Sequence, residues 1–430
     1  MEALRKYFKF EERGTNFRTE IIAGVTTFLS MVYILIVAPT TLMAAGMNFG
    51  GVYIATIIAT VVGTLIMGAV ANYPIAISCG LGIIAYVAYT MVFSQGVPWQ
   101  EAMGAEAISA GIFIVLSLTK FREMFINSIP ESLKRAIAAG IGFFISLIGF
   151  HNGHIVMGSE ATMITLGSLS DPTLILTLVG LVVTMALMVA RINGAIFLGM
   201  IFTAVVAWAL GYLQMPQEIF SAPRGFENTF MQLRIGDLGV LAPAIFTLLL
   251  VTLFDTTGTM LGIGRQAGLI KDGQFPNLKS ALMADATASF VGAFCGTSPT
   301  SAYVESGTGV SVGGRTGFTS VVTAALFALM IFFQPLAAAI SSLSSVTAPA
   351  LILTGCFMVS SVATIDWNDY SEAFPAFLTM VLMPFTYSIT NGLGAGMITY
   401  VLLKICAGKI RDIHPLMIVM AVLFAVQMTM

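Results

Sequence analysis

Pro74-Ile-Ala-Ile-Ser-Cys-Gly-Leu-Gly-Ile-Ile-Ala-Tyr86 and Gly296-Thr-Ser-Pro-Thr-Ser-Ala-Tyr-Val-Glu-Ser306 lie 222 residues apart, and each is a short interrupted stretch inside apolar surroundings. Gly80 and Gly82 break the helical run of the first. In the second, Pro299 has no N–H to donate, and the hydroxyl-bearing residues around it predict a short extended piece leading into a half-helix. Unwound backbone inside a membrane is tolerated only where it is covered by protein or lines a cavity, so a matched pair of breaks predicts a site between them. The alternative is that the glycines only let helices approach closely.

The surroundings settle that a membrane is involved. Ile21 to Gln100 contains no Asp, Glu, Lys or Arg over 80 residues, and Thr316 to Ile365 contains none over 50. A spanning helix needs about 20 apolar residues, so each run holds more than one span. Across 430 residues, 57% are hydrophobic and 9% charged, against roughly a quarter charged in soluble domains. A net charge of −2 gives no sign of a nucleic-acid partner. Cys79, Cys295, Cys356 and Cys406 are isolated, without metal or redox spacing, and read as reduced packing residues.

Charges, Gly/Pro clusters and apolar runs predict spans near 21–44, 51–71, 75–94, 101–119, 132–150, 173–190 and 194–212, then 239–263, 277–295, 299–312, 317–337, 346–363, 372–390 and 392–408. An apolar tail at 413–430 leaves the count at fourteen or fifteen. Residues 1–20 read as a cytoplasmic amphipathic lead-in with no cleavable signal pattern after it, and 213–238 as an extracellular connection. With the N-terminus inside, only Arg224 and Arg234 of the nineteen basic residues fall outside; the inside set includes Lys120, Arg122 and Lys271. That asymmetry fixes the expected orientation. Seven spans separate the starts of residues 21–212 and 239–430, so the two halves are expected to be inverted repeats, as in many secondary transporters. Trp99, Trp208 and Trp367 fit an interfacial belt, and His151 and His154 are expected at an interface.

Asp255, Asp285 and Glu305 are the acids read as lying well inside apolar spans. An intramembrane acid is costly and marks a functional site by default. Burial favours the neutral form of a carboxyl, which suits Asp255 and Glu305 to proton exchange. Asp285, nearer a span end, reads as structural.

Phe254-Asp-Thr-Thr-Gly-Thr259, the Gly296–Ser306 stretch and Gly313-Gly-Arg-Thr-Gly317 resemble the AzgA-like purine permeases, a branch of the nucleobase/ascorbate transporters. Ala23-Gly-Val-Thr-Thr-Phe-Leu29 and Phe374-Pro-Ala-Phe377 extend the likeness nearly end to end. The resemblance implies an all-α polytopic fold of fourteen spans in a seven-plus-seven inverted repeat. It also implies a core domain of spans 1–4 and 8–11, and a gate domain of spans 5–7 and 12–14. It implies proton symport of adenine, guanine, hypoxanthine or xanthine across the bacterial cytoplasmic (inner) membrane, with Asp255 and Glu305 as substrate and coupling acids. Ile84 stands where the family usually carries Asn, and Thr252 where many members carry a second carboxylate.

The mechanism expected places a neutral purine between the broken segments. Glu305 accepts N–H bonds, amides near Gly80 and Tyr303 meet the ring acceptors, and Tyr86 and Tyr303 pack on the base, with Ser301 in the same site. Asp255 takes the co-transported proton, oriented by Thr256 and Thr259; Ser306 and Asp285 support. The partners expected are the base, protons as coupling ion and membrane lipid, with no cofactor and no metal; a homodimer is left open. Three rival readings stand beside this one: a sulfate-type anion carrier of the same architecture, which Glu305 disfavours; an intramembrane enzyme, for which no nucleophile or metal constellation is visible; and a purine sensor.

Overall fold

The structure is a computed structural model that describes residues 2–119, 128–270 and 275–429; Lys120, Arg122 and Lys271 lie outside them. Among the described residues, nine helices are long and apolar enough to cross a membrane: Phe17–Met43, Phe49–Ala71, Trp99–Leu118, Glu131–Asn152, Pro172–Val189, Leu238–Gln266, Gly317–Ser341, Ser344–Thr364 and Ile389–Cys406. They are spans 1, 2, 4, 5, 6, 8, 11, 12 and 14. Spans 7 (Ala195–Ala209), 9 (Leu278–Cys295) and 13 (Tyr370–Phe385) are shorter or more polar helices, and spans 3 and 10 are interrupted. The chain is thus an all-α polytopic membrane protein with seven spans on each side of the 213–238 connection.

Local chemistry sets where the spans begin. The side chains of Asn16, Asn48, Asp171, Asp237, Thr316, Asp369 and Ser388 each accept a backbone N–H of the first turn that follows, satisfying donors that a helix start leaves orphaned.

Four short strands interrupt the helices: β1 (Ile77–Cys79), β2 (Val156–Ser159), β3 (Met163–Leu166) and β4 (Thr300–Ala302). β1 and β4 pair antiparallel, Ile77 with Ala302, Ser78 with Ser301 and Cys79 with Thr300. Extended backbone here must find partners within the protein, and the two breaks supply them to each other: the Gly80 N–H donates to the Pro299 carbonyl and the Tyr303 N–H to that of Ala76, both 3.0 Å. Side chains complete the pairing. The Ile77 N–H donates to Thr64 Oγ1 (3.0 Å), the Thr300 N–H to Ser289 Oγ (2.9 Å) and the Ala76 N–H to Ser306 Oγ (3.0 Å). Gly296, with φ +92°, ends span 9 in the left-handed region, and a Cβ there would meet Thr229 Cβ at 2.5 Å. Glycine is the residue that fits both conditions.

The helices pack in two groups. Spans 5, 6, 7, 12, 13 and 14 pack on one another, with spans 5 and 12 in extended contact; spans 1, 2, 4, 9 and 11 pack around the strand pair. Span 8 touches both groups.

Four features differ from the sequence reading. Span 1 carries a two-residue turn at Val32-Tyr33 between Phe17–Met31 and Ile34–Met43, with both residues keeping right-handed helical backbone. Between spans 5 and 6, β2 and β3 form a hairpin, whose short aliphatic runs carry no helical period. The apolar tail is a 15-residue helix, Pro415–Thr429, packed on span 14, shorter than the about 20 residues needed to cross a bilayer. Finally, two more acids are fully buried. Glu106 lies inside span 4, and Glu20 belongs to span 1 rather than to a lead-in. Glu20 accepts the Thr316 and Thr319 hydroxyls (2.7 and 2.6 Å) and the Arg315 N–H (3.0 Å), closing the start of span 11 onto span 1.

Candidate functional site

A cavity of about 80 Å³ opens between the two helix groups beside the strand pair. Tyr33, Asp255, Thr259, Ser301, Tyr303 and Glu305 line it from one side; Ile141 of span 5 and Thr354, Phe357 and Met358 of span 12 face them. The breaks place these groups. β4 delivers Ser301, and the chain then turns into the half-helix Ser306–Ser311 with Glu305 at its N-cap position. On the other broken span, Leu81, Gly82 and Ile83 line the cavity at the first turn of a helix, where backbone N–H groups have no intrahelical partner.

Glu305 and Asp255 are half-buried, their open sides toward this space. The Tyr33 hydroxyl donates to Glu305 Oε1 at 2.6 Å. Tyr33 itself is fully buried, at the turn between the two helical stretches of span 1. No feature of the sequence pointed to it: Met31–Ala38 reads as one apolar run without a charge or glycine. Glu106 was likewise missed, and its signal was visible, an acid seven residues inside the Trp99–Leu118 helix.

Several expected site residues stand elsewhere. The Tyr86 hydroxyl accepts from Thr390 Oγ1 (2.9 Å) and faces span 14, away from the cavity. The Gly80 and Tyr303 amides are spent on the strand pair, so neither is free for a ligand. The Tyr303 hydroxyl donates to the Cys79 carbonyl at 2.6 Å, fixing the ring that lines the cavity. Thr256 does not orient Asp255: its hydroxyl donates to Asp285 Oδ2 at 2.5 Å, because successive helix residues point about 100° apart. Thr259, one turn on, shares the face of Asp255. Asp285 is fully buried and also accepts from Thr300 Oγ1 at 2.7 Å, joining spans 8 and 9 to β4. Ser306 serves the strand pair. Ile84 and Thr252 are buried and do not line the cavity.

Two half-buried carboxyls, a tyrosine hydroxyl, small hydroxyls and free helix-terminal amides, walled by aromatic and aliphatic side chains, suit a small planar molecule that has both N–H donors and ring acceptors. No Lys, Arg or His, the cation an anion carrier would want, is among the described lining residues.

The sequence profile described as the Permease family matches residues 18–394. The chain is 46% identical over 429 residues to the guanine/hypoxanthine permease PbuO of Bacillus subtilis, covering 98% of this chain and 99% of that one. It is 40% identical over 425 residues to the adenine permease AdeP of Escherichia coli, covering 98% and 95%. Among solved structures, the transmembrane domain of a cyanobacterium bicarbonate transporter BicA is similar with a TM-score of 0.65 at 14% identity, covering 89% of this chain and 97% of that one. That last likeness is one of fold.

Proposed function

The chain belongs to the nucleobase/ascorbate transporter family of permeases, and from that premise we propose that it carries purine nucleobases into the cell together with protons. The family consists of carriers, not enzymes. The observation that supports the purine most directly is Glu305, an acid held at a half-helix start in a cavity between two helix groups. It offers an acceptor to a ring N–H, while the amides of Leu81 and Gly82 offer donors to ring nitrogens or a carbonyl. Guanine, hypoxanthine and adenine all carry both kinds of group. Asp255, across the cavity floor, is the proton carrier in this reading, and its neutral form donates where its charged form accepts.

The two helix groups correspond to the core and gate, the N-terminus is cytoplasmic, and Asp285 and Ser306 hold the core together. The cavity is smaller than the roughly 300 Å³ of a small-molecule site, so gate and core separate to admit the base and close around it, exposing it alternately to the two sides. A pair of such proteins side by side in the membrane is compatible with this motion.

The test is uptake of radiolabelled hypoxanthine by a purine-transport-deficient bacterium, competed with purines, pyrimidines and ascorbate and repeated with a protonophore. Purines alone should compete, and the protonophore should abolish accumulation. Glu305→Gln, which removes a charged acceptor, should cut uptake about tenfold or more. Asp255→Asn should abolish accumulation against a gradient while leaving counterflow exchange. Normal accumulation by both variants at wild-type surface levels overturns the assignment.

A further inference from the structure

Among the described lining residues, Tyr33 donates its hydroxyl to Glu305 rather than to the backbone. It is fully buried, it stands at the turn in span 1, and its O–H reaches Glu305 Oε1 at 2.6 Å. From across the cavity, Thr354 of span 12 approaches the same hydroxyl. A carboxylate receives two adjacent N–H groups best when both of its oxygens are free in one plane, as in fork-to-fork pairing. Here Oε1 already accepts the Tyr33 hydroxyl, which leaves it a weaker acceptor for a second N–H. We propose that Tyr33 is a specificity-determining positioning residue that reserves Glu305 Oε1, so that Glu305 reads a single N–H of the base through Oε2. This inference rests on Glu305 meeting the purine.

The consequence is chemical. Guanine offers N1–H and an adjacent 2-amino N–H, whereas hypoxanthine offers N1–H alone. With both oxygens free, a carboxylate would hold guanine by two parallel bonds and hypoxanthine by one, and the second charge-assisted bond would separate them by about tenfold or more. With Oε1 already accepting the Tyr33 hydroxyl, the 2-amino group gains little and the two bases bind nearly alike. Tyr33 thus makes the carrier indifferent to the 2-position.

The test begins with the unaltered protein, by measuring inhibition constants of unlabelled guanine and hypoxanthine against labelled hypoxanthine uptake. Values within about threefold of each other are expected; a guanine preference of tenfold or more overturns the proposal without any variant being made. Tyr33→Phe keeps the ring and removes the hydroxyl. It should raise the KM for hypoxanthine with the maximal rate within about twofold, and shift the guanine-to-hypoxanthine preference about tenfold toward guanine. In a Glu305→Gln background the same change should move the preference no further, a non-additivity that a purely structural role of Tyr33 would not produce. An unchanged preference in Tyr33→Phe refutes the role of Tyr33 alone. Absence of any purine competition in the unaltered protein refutes the purine reading itself, so the two failures are distinguishable.

Discussion

Glu106 and Asp285 are both acids of membrane-spanning helices, both fully buried, and they differ in what surrounds them. Asp285 takes hydrogen bonds from Thr256 and Thr300, whereas neither carboxyl oxygen of Glu106 has a partner among the described residues. Removing a partnered acid strands its donors at about 1–3 kcal/mol for each buried group; removing an unpartnered one strands nothing and relieves a desolvation cost of similar size. Asp285→Ala should therefore lower the unfolding temperature of the detergent-purified protein and loosen β4, while Glu106→Leu should leave it unchanged or raise it. Thermal unfolding of the two variants beside the unaltered protein reads the difference. If Glu106→Leu instead keeps its stability and loses uptake, Glu106 belongs to the transport path.

At the scale of single elements, the start of span 13 makes a pH-dependent statement. The Asp369 carboxylate accepts the Ser371 hydroxyl (2.7 Å) and N–H (2.9 Å) and Lys409 Nζ (3.2 Å). These bonds, the Ser371 hydroxyl's foremost, hold its carboxyl at about 2, below the ordinary value of about 3.9. A value depressed by folding means the stabilisation is fully present above about pH 4 and is lost as pH falls toward 2. Asp369→Asn should then lower the unfolding temperature at pH 7 by an amount that shrinks below pH 4; a difference that stays constant down to pH 3 refutes it. Legible in the sequence were the paired breaks of spans 3 and 10, from Gly80, Gly82 and Pro299. The turn at Val32-Tyr33 in span 1 was not legible, because it sits in an apolar run with no glycine. Tyr86 was misplaced for a related reason: beyond Gly80 the helix changes to a wider π-form over Tyr86–Ser94, which sequence spacing alone does not announce and which turns that side chain toward span 14. Glu20 escaped because an acid near a predicted span end looks solvated until tertiary packing covers it, whereas Glu106, inside the Trp99–Leu118 helix, was legible as a membrane-embedded acid.

For the molecule as a whole, the two helix groups meet at several close approaches, and one of them tests whether the groups move against each other. A Cβ built on Gly82, at the half-helix start of span 3, would lie 3.7 Å from Cβ of Ile141 on span 5 and would collide with that residue's Cγ2. Only glycine lets the broken span lie this near its neighbour, and 3.7 Å between Cβ atoms matches the roughly 3.5–4.5 Å of a disulfide. Gly82→Cys combined with Ile141→Cys removes the obstructing Cγ2 and puts two thiols in bonding range across the boundary. If the groups move against each other, oxidation of the pair should stop purine uptake and reduction should restore it, with each single variant insensitive to oxidant. Binding of the base to the oxidised protein, followed by equilibrium dialysis in detergent, separates a jammed carrier from a blocked site: a closed cavity of about 80 Å³ should exclude the base, so binding should also be lost and return on reduction. Uptake that continues at the reduced rate through a fully formed cross-link, verified by mass spectrometry, would mean that spans 3 and 5 travel together and that the boundary of motion lies elsewhere in the molecule.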